Sequence, residues 1–213
     1  TGEATVTGTL TFTSGNWNTA QTVTITGVND NIIDGTITST LTVAVNDGSS
    51  DNNFDPVANQ TVSVTTTDND VAGFTITQTS GSTSVNESGT TDTFTVVLNA
   101  QPASDVVIAI SSGDTGEATV NSPLTFTNAN WNSAQTVTVT GVDDNIIDGT
   151  VTSTLTASIV DASSNDSFDS VADQTVSVTT ADNDVAGFTI TQTGGSTSVS
   201  ESGTTDTFTI VLN

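Results

Sequence analysis

From one end of the chain to the other, apolar residues alternate with polar ones at a period of two, and no stretch repeats them at helical spacing. Between positions 71 and 184 the alternation resolves into seven runs: FTITQT (74–79), TFTVVL (93–98), DVVIAI (105–110), LTFT (124–127), QTVTVTGV (135–142), TSTLTASIV (152–160) and QTVSVTT (174–180). β-Branched residues in a period-two pattern mark half-buried antiparallel strands, because a branched Cβ packs well on a pleated surface. The runs are separated by NESGT, NAQPAS, SGDTGE, DDNIIDG and SSNDSFDS, whose Asn, Asp, Ser and Gly residues close turns. The pattern predicts an all-β fold, a seven-stranded Ig-like antiparallel sandwich. Trp131, just ahead of the fifth run, is expected to cap one end of the core.

The pattern repeats. TGEATV at 1–6 returns at 115–120, NIIDGT at 31–36 returns at 145–150, and DNDVAGFTITQT at 68–79 returns at 182–193, a constant offset of 114 residues. Asn16-Trp17 and Asn130-Trp131 keep the same offset. About three-quarters of the overlapping positions are identical, with no insertion or deletion. A period of this length is the size of one sandwich and too long for a solenoid unit. With the joint at DND–VAGF, residues 1–70 are expected to be the C-terminal part of one repeat, 71–184 a complete repeat, and 185–213 the N-terminal part of a third. The chain is then expected to be a window on a longer tandem array. DNDVAG contains no Gly/Ser-rich or Pro-rich tether, so successive repeats are expected to abut.

Charge narrows the chemistry. The 213 residues include no Lys, Arg, His or Cys against 24 Asp plus Glu, a formal charge of −24. Nothing in the chain can clamp a phosphate, which excludes nucleic acid and anionic membrane surfaces as direct partners. No apolar run in this segment is long enough for membrane insertion. Without His, Lys, Cys, Tyr or Arg, nearly every general base and nucleophile except a carboxylate or hydroxyl is missing, so the chain is not expected to be an enzyme. A paired-carboxylate glycosidase stays formally open, but acids recurring with the period suit a joint better than a cleft.

Counting strands alternately up and down, the turns after the first, third, fifth and seventh runs emerge at one end. Glu87, Asp114, Asp143, Asp144, Asp148, Asp182 and Asp184 lie in those turns. Two carboxylates about 5 Å apart repel by roughly 3 kcal/mol at an effective dielectric of 20. Seven without a cationic partner call for a hard divalent cation, and carboxylates with turn carbonyls point to Ca2+, since Mg2+ keeps more of its water and zinc would want His or Cys. The first piece carries a corresponding set at Asp30, Asp34, Asp68 and Asp70, and the third carries Glu201 at the position of Glu87. Asp92, Asp105, Asp161, Asp166, Asp169 and Asp173 are expected to be solvated turn residues, and Glu117 fits either group. The loop from Asp144 to Gly149 is not an EF-hand, since Ile146 stands at a ligand position and Leu155 where a bidentate Glu belongs.

The order SVxE, a strand pair ending in SGD, then QTVTVTGVDDNIIDG and TVSVTTxDND resembles the Calx-beta domain across the whole of 71–184 and in both partial repeats. That family is an Ig-like sandwich binding several Ca2+ ions at the end bearing its final acidic run. The resemblance implies Glu87 as the early glutamate, Asp114 as the mid-domain aspartate, Asp143 and Asp144 as the central pair followed by Asp148, and Asp182 with Asp184 as the terminal run. Asn183 interrupts that run, and the glutamate-rich segment after the central pair is reduced to Asp148, which implies fewer ions or weaker binding. Asn29 replaces Asp143 in the first repeat, which implies a weaker site there. Such repeats are similar to those of large secreted bacterial surface proteins and adhesins.

The expectation is therefore a calcium-binding structural or adhesive rod, a stalk or filament segment of an extracellular or cell-surface protein. Its partners are neighbouring repeats of the same array, with self-assembly into filaments as a further route. The alternative is a module that recognises a carbohydrate or protein through its loops, against which stands the near-identity of those loops between repeats.

Overall fold

The computed structural model describes residues 2–213. Its strands are β1 (Ala4–Val6), β2 (Ile25–Gly27), β3 (Ile37–Val43), β4 (Gln60–Thr66), β5 (Phe74–Gln78), β6 (Thr83–Asn86), β7 (Thr91–Leu98), β8 (Val106–Ser112), β9 (Ala118–Val120), β10 (Leu124–Phe126), β11 (Gln135–Gly141), β12 (Val151–Ile159), β13 (Gln174–Ala181), β14 (Phe188–Gln192) and β15 (Phe208–Leu212). Short 3-10 turns are the sole helical elements among the described residues.

The central strands stack as two sheets, one in the order β5-β7-β11-β9 and one in the order β10-β8-β12-β13-β6. Pairing is antiparallel within both, except that β6 lies parallel to β13 at the second sheet's edge. The chain thus changes sheets between β5 and β6, around the 3-10 turn Thr79–Gly81, and its opening segment borders both the second and the last strands of the sandwich. This is the Ig-like arrangement.

All seven runs of alternating residues form strands, and their inward positions supply the core. Phe94, Val96 and Leu98 from β7 meet Val106, Ile108 and Ile110 from β8, Val137 and Val139 from β11, and Val176 and Val178 from β13, all buried. Burying a side chain of this size contributes about 1.5–3 kcal/mol. Phe126 and Phe168 are fully buried in this core, and Trp131 packs partly buried against it while its carbonyl accepts the Leu98 N–H at 3.1 Å. Two further strands, β6 and β9, were not expected. Each is too short to display a period, and each is held by edge pairing: β6 on β13, and β9 on β11, where Gly141 faces Ala118.

The flanking segments form two-stranded ribbons, β1 with β2, β3 with β4 and β14 with β15. They expose what their central counterparts bury. Phe188 is 61% exposed against 3% for Phe74, and Trp17 is 71% exposed where Trp131 is partly covered.

Candidate metal centre

Four strand ends bring the acidic turns to one pole of the central sandwich. β6 delivers Glu87, whose N–H donates to the Ala181 carbonyl at the end of β13. β11 ends at Gly141, where the strands approach so closely that a Cβ would stand 2.0 Å from the backbone oxygen of Asn86. Only glycine fits there, and the contact sets Glu87 beside the start of the 142–149 loop. Glu117, leading into β9, is bound from both sides: its carbonyl accepts the N–H of Val142 at 2.9 Å and the hydroxyl of Thr180 at 3.3 Å.

The result is two adjoining groups of carboxylates that share Glu87. One oxygen each from Glu87, Glu117 and Asp148 lie within 4.8 Å of one another, and so do one each from Glu87, Asp182 and Asp184. Glu87 is 1% exposed and Glu117 6% exposed. Among the described residues, Glu117 Oε2 and Asp184 Oδ2 are buried without a hydrogen-bond partner. A buried ionised carboxylate needs a partner, and with no Lys, Arg or His in the sequence no side chain can supply the charge.

The surrounding backbone shapes the rest. Asp182 is held below the ordinary carboxylate range by the N–H groups of Asp184 and Gly149, at 2.6 and 2.8 Å from its two oxygens. Gly149 has a φ of 77°, the left-handed region, so the loop's return to Asp182 relies on glycine. Asn183 donates its N–H to Glu87 Oε2 at 3.2 Å and its side-chain amide to Asp143 Oδ1 at 2.8 Å. That Asn183 N–H holds the Glu87 carboxyl down, but burial together with the charges of Asp182, Asp144 and Asp148 outweighs it, and the net shift is upward. Burial pushes Glu117 up, helped by Asp148 and Asp114, and burial likewise raises Asp184, helped by Asp182 and Asp143. These groups hold their protons above the usual range because the fold gathers negative charge where water is scarce.

Of the residues expected at this pole, Glu87, Asp148, Asp182 and Asp184 fall within the two groups. Asp143 and Asp144 act on them from the rim, with Asp144 Oδ1 taken up by the N–H of Ile146 at 2.6 Å. Asp114 accepts the Gly116 N–H at 3.0 Å and adds its charge to Glu117. Glu117, which fits either group by its turn position, joins Glu87 and Asp148 in the first group. Its signal was weak because the three-residue strand that carries it across from the acidic loop has no readable period. In the flanking segments the acids come together less. Asp68 Oδ2 accepts the N–H groups of Asp34 and Gly35 at 3.1 and 2.9 Å, and its Oδ1 accepts that of Asp70 at 2.8 Å, which holds Asp68 below the ordinary range. Asp30 accepts the Ile32 N–H at 2.8 Å, and Glu201 is exposed. No group of three carboxylates forms in these segments among the described residues. Asp92, set apart from the acidic pole, latches β6 by accepting the Ser84 N–H at 2.9 Å.

No family model matches the chain, and no curated protein matches it. Among solved structures, the chain is similar to the apo form of the Calx CBD1 domain, with 12% identity over 52% of this chain and 98% of that one, at a TM-score of 0.37. It is also similar to domains 1-6 of the surface layer protein SbsC, with 19% identity over 89% of this chain and 27% of that one, at a TM-score of 0.42. The E. coli chaperone DraB gives 7% identity over 55% of this chain and 59% of that one, at a TM-score of 0.38.

Proposed function

We propose that this chain is a segment of an extracellular structural or adhesive rod, built from tandem sandwiches with 71–184 as the complete repeat, and that the acidic pole of each repeat binds calcium. The observation that carries the reading is the buried carboxylate of Glu117, unpartnered at Oε2 among Glu87, Asp148 and Asp114 in a chain without a single basic side chain. A cation from the medium can supply the compensating charge.

The donor set suits a hard ion. Every available side-chain ligand is an oxygen, which favours Ca2+ over zinc, and the three carboxylates of each group carry six oxygens towards the six to eight that calcium accepts. Glu87, Glu117, Asp148, Asp182 and Asp184 would hold the ion or ions, and Asp114, Asp143 and Asp144 would add charge at the rim. A bound calcium ion would supply positive charge at this pole. The chain's own residues do the remaining work: Asn183, Gly149 and Gly141 fix the carboxylates in place, and β6, β11 and β13 carry the restraint into both sheets. The rod reading rests on the repeat, the absence of a flexible tether and the gathering of acidic turns at one pole. The lack of general bases other than carboxylates argues against catalysis.

Titration calorimetry of the full chain with calcium tests the assignment. Binding near 10⁻⁴ to 10⁻³ M, typical of extracellular modules, that is abolished or weakened at least tenfold by Glu117→Gln supports it. Heat that is equal for both chains refutes the role of this pole.

A further inference from the structure

The loop that follows β2 shows how one repeat meets the next. Asp30 takes the Ile32 N–H and Asp68 takes those of Asp34 and Gly35, so the loop is folded by its own acids. Its outer residues then pair with the turn between β7 and β8. The Gln101 N–H donates to the Asn31 carbonyl at 2.7 Å, the Ile33 N–H donates to the Gln101 carbonyl at 3.3 Å, and Ile32 and Gln101 form a parallel bridge. Ile33 rests against the core of the central sandwich, and Gln101 is anchored on its own side by donating from Nε2 to the Asn128 carbonyl at 2.8 Å.

The same hexapeptide, DNIIDG, recurs at 144–149, folded by the counterpart acids. Asp144 takes the Ile146 N–H and Asp182 takes that of Gly149. Here, however, Ile146 is 62% and Ile147 53% exposed. Residues 185–213 repeat the hydrogen bonds that lead up to Gln101 in the central sandwich. The Asn213 N–H donates to the Gly187 carbonyl as that of Asn99 does to Gly73, and Thr189 donates to Asn213 as Thr75 does to Asn99. Asn213 is the counterpart of Asn99, so a counterpart of Gln101 would stand two positions beyond it.

We propose that Asn145–Ile147 is a docking strand for the Gln-Pro turn of a following copy of this repeat, joined in sequence, and that this contact recurs at every joint of the array. It deepens the rod reading by naming the contact that limits bending, and it draws on continuity with the joint already formed inside this chain. The backbone pairing gives direction and register, and the isoleucine pair excludes water from it.

The test is amide hydrogen exchange, read residue by residue by NMR. It compares the full chain with the chain lengthened in register by a second copy of residues 100–213 after Asn213, each with calcium and with chelator. In the full chain the Ile33 amide should exchange at least ~10-fold more slowly than that of Ile147, as expected of a bonded amide against an open one. In the lengthened chain Ile147 should slow to the rate of Ile33, and Ile147→Ser should reverse the gain. Fast exchange at Ile147 beside a folded added repeat overturns the proposal, and so does an unprotected Ile33. Protection at Ile147 that is present in the full chain and rises with protein concentration assigns the surface to contacts between separate molecules and also overturns it. The calcium arm separates the two readings: protection at Ile147 equal with calcium and chelator keeps the joint while detaching it from the ion.

Discussion

Glu117 places a carboxylate among carboxylates, and its chemistry without calcium should differ from its chemistry with it. In chelator, Glu117→Gln removes a like charge from a buried site and adds an amide N–H that can donate to Asp148 or Glu87, so the melting temperature should rise. In calcium the same change removes a ligand, so the melting temperature should fall below that of the unaltered chain. Calorimetry in both media checks the crossover, and a fall in both would reduce Glu117 to a packing residue. Proton linkage has a fixed sign here. Glu87, Glu117 and Asp184 are raised in the fold, so their contribution to stability is fully present below the ordinary carboxyl range and is lost as pH rises through the raised values. Acidifying the chelated chain through the raised values should therefore raise its melting temperature, whereas acidifying the calcium form should lower it as protons compete for the ligands. Asp182 and Asp68, held down, reverse the trend only below their ordinary value of 3.8. Asp169 at the far pole is raised by burial and by Asp161 and Asp166, and it leaves a share of the acid effect that Glu87→Gln should not abolish. A chelated chain whose melting temperature falls steadily on acidification towards the ordinary carboxyl range would contradict the assignment.

The junction between β6 and β11 gives the sharpest prediction for an element. Gly141→Ala drives a methyl group to 2.0 Å from the Asn86 oxygen, and the strands must part, at a cost of about 3 kcal/mol. The central sandwich should melt roughly 10 °C lower, and calcium binding should weaken with it because Glu87 follows Asn86. Its counterpart Gly27 has Thr66 Cγ2 at 4.0 Å as the nearest neighbour, so Gly27→Ala should change melting by no more than about 0.5 kcal/mol. Equal effects at the two positions would show that the close approach does not carry the site. The long strands were legible because the alternation of Val, Ile and Phe with Thr directly reports which side faces the core. The short strands β6 and β9 were not, since three or four residues cannot show a period and edge pairing alone defines them. The same limit hid Glu117. Asp148 and Asp182 could be assigned to one pole by counting turns, but Glu117 depends on the register of Gly141 opposite Ala118, which no local pattern encodes.

Across the whole molecule, a formal charge of −24 with no basic side chain leaves every compensation to the solution. Solvated turns at the surface are screened over about 8 Å at physiological ionic strength, but the buried oxygens of Glu117 and Asp184 are reached poorly by that screening. Calcium at ten times its dissociation constant adds about 1.4 kcal/mol per site by mass action, a sizeable part of the 5–15 kcal/mol that holds a domain folded. The same pole carries the loop proposed to dock the next repeat, so gains in stability and in joint order should appear at the same calcium concentration. The most direct test of the central claim is scanning calorimetry of the full chain at pH 7 and constant ionic strength, in calcium and in chelator. If the acidic pole is a calcium site, the melting temperature of the central sandwich rises by about 5 °C or more in calcium. An identical melting temperature in the two media would mean that the buried carboxylates need no ion, and the calcium-bound rod would be contradicted.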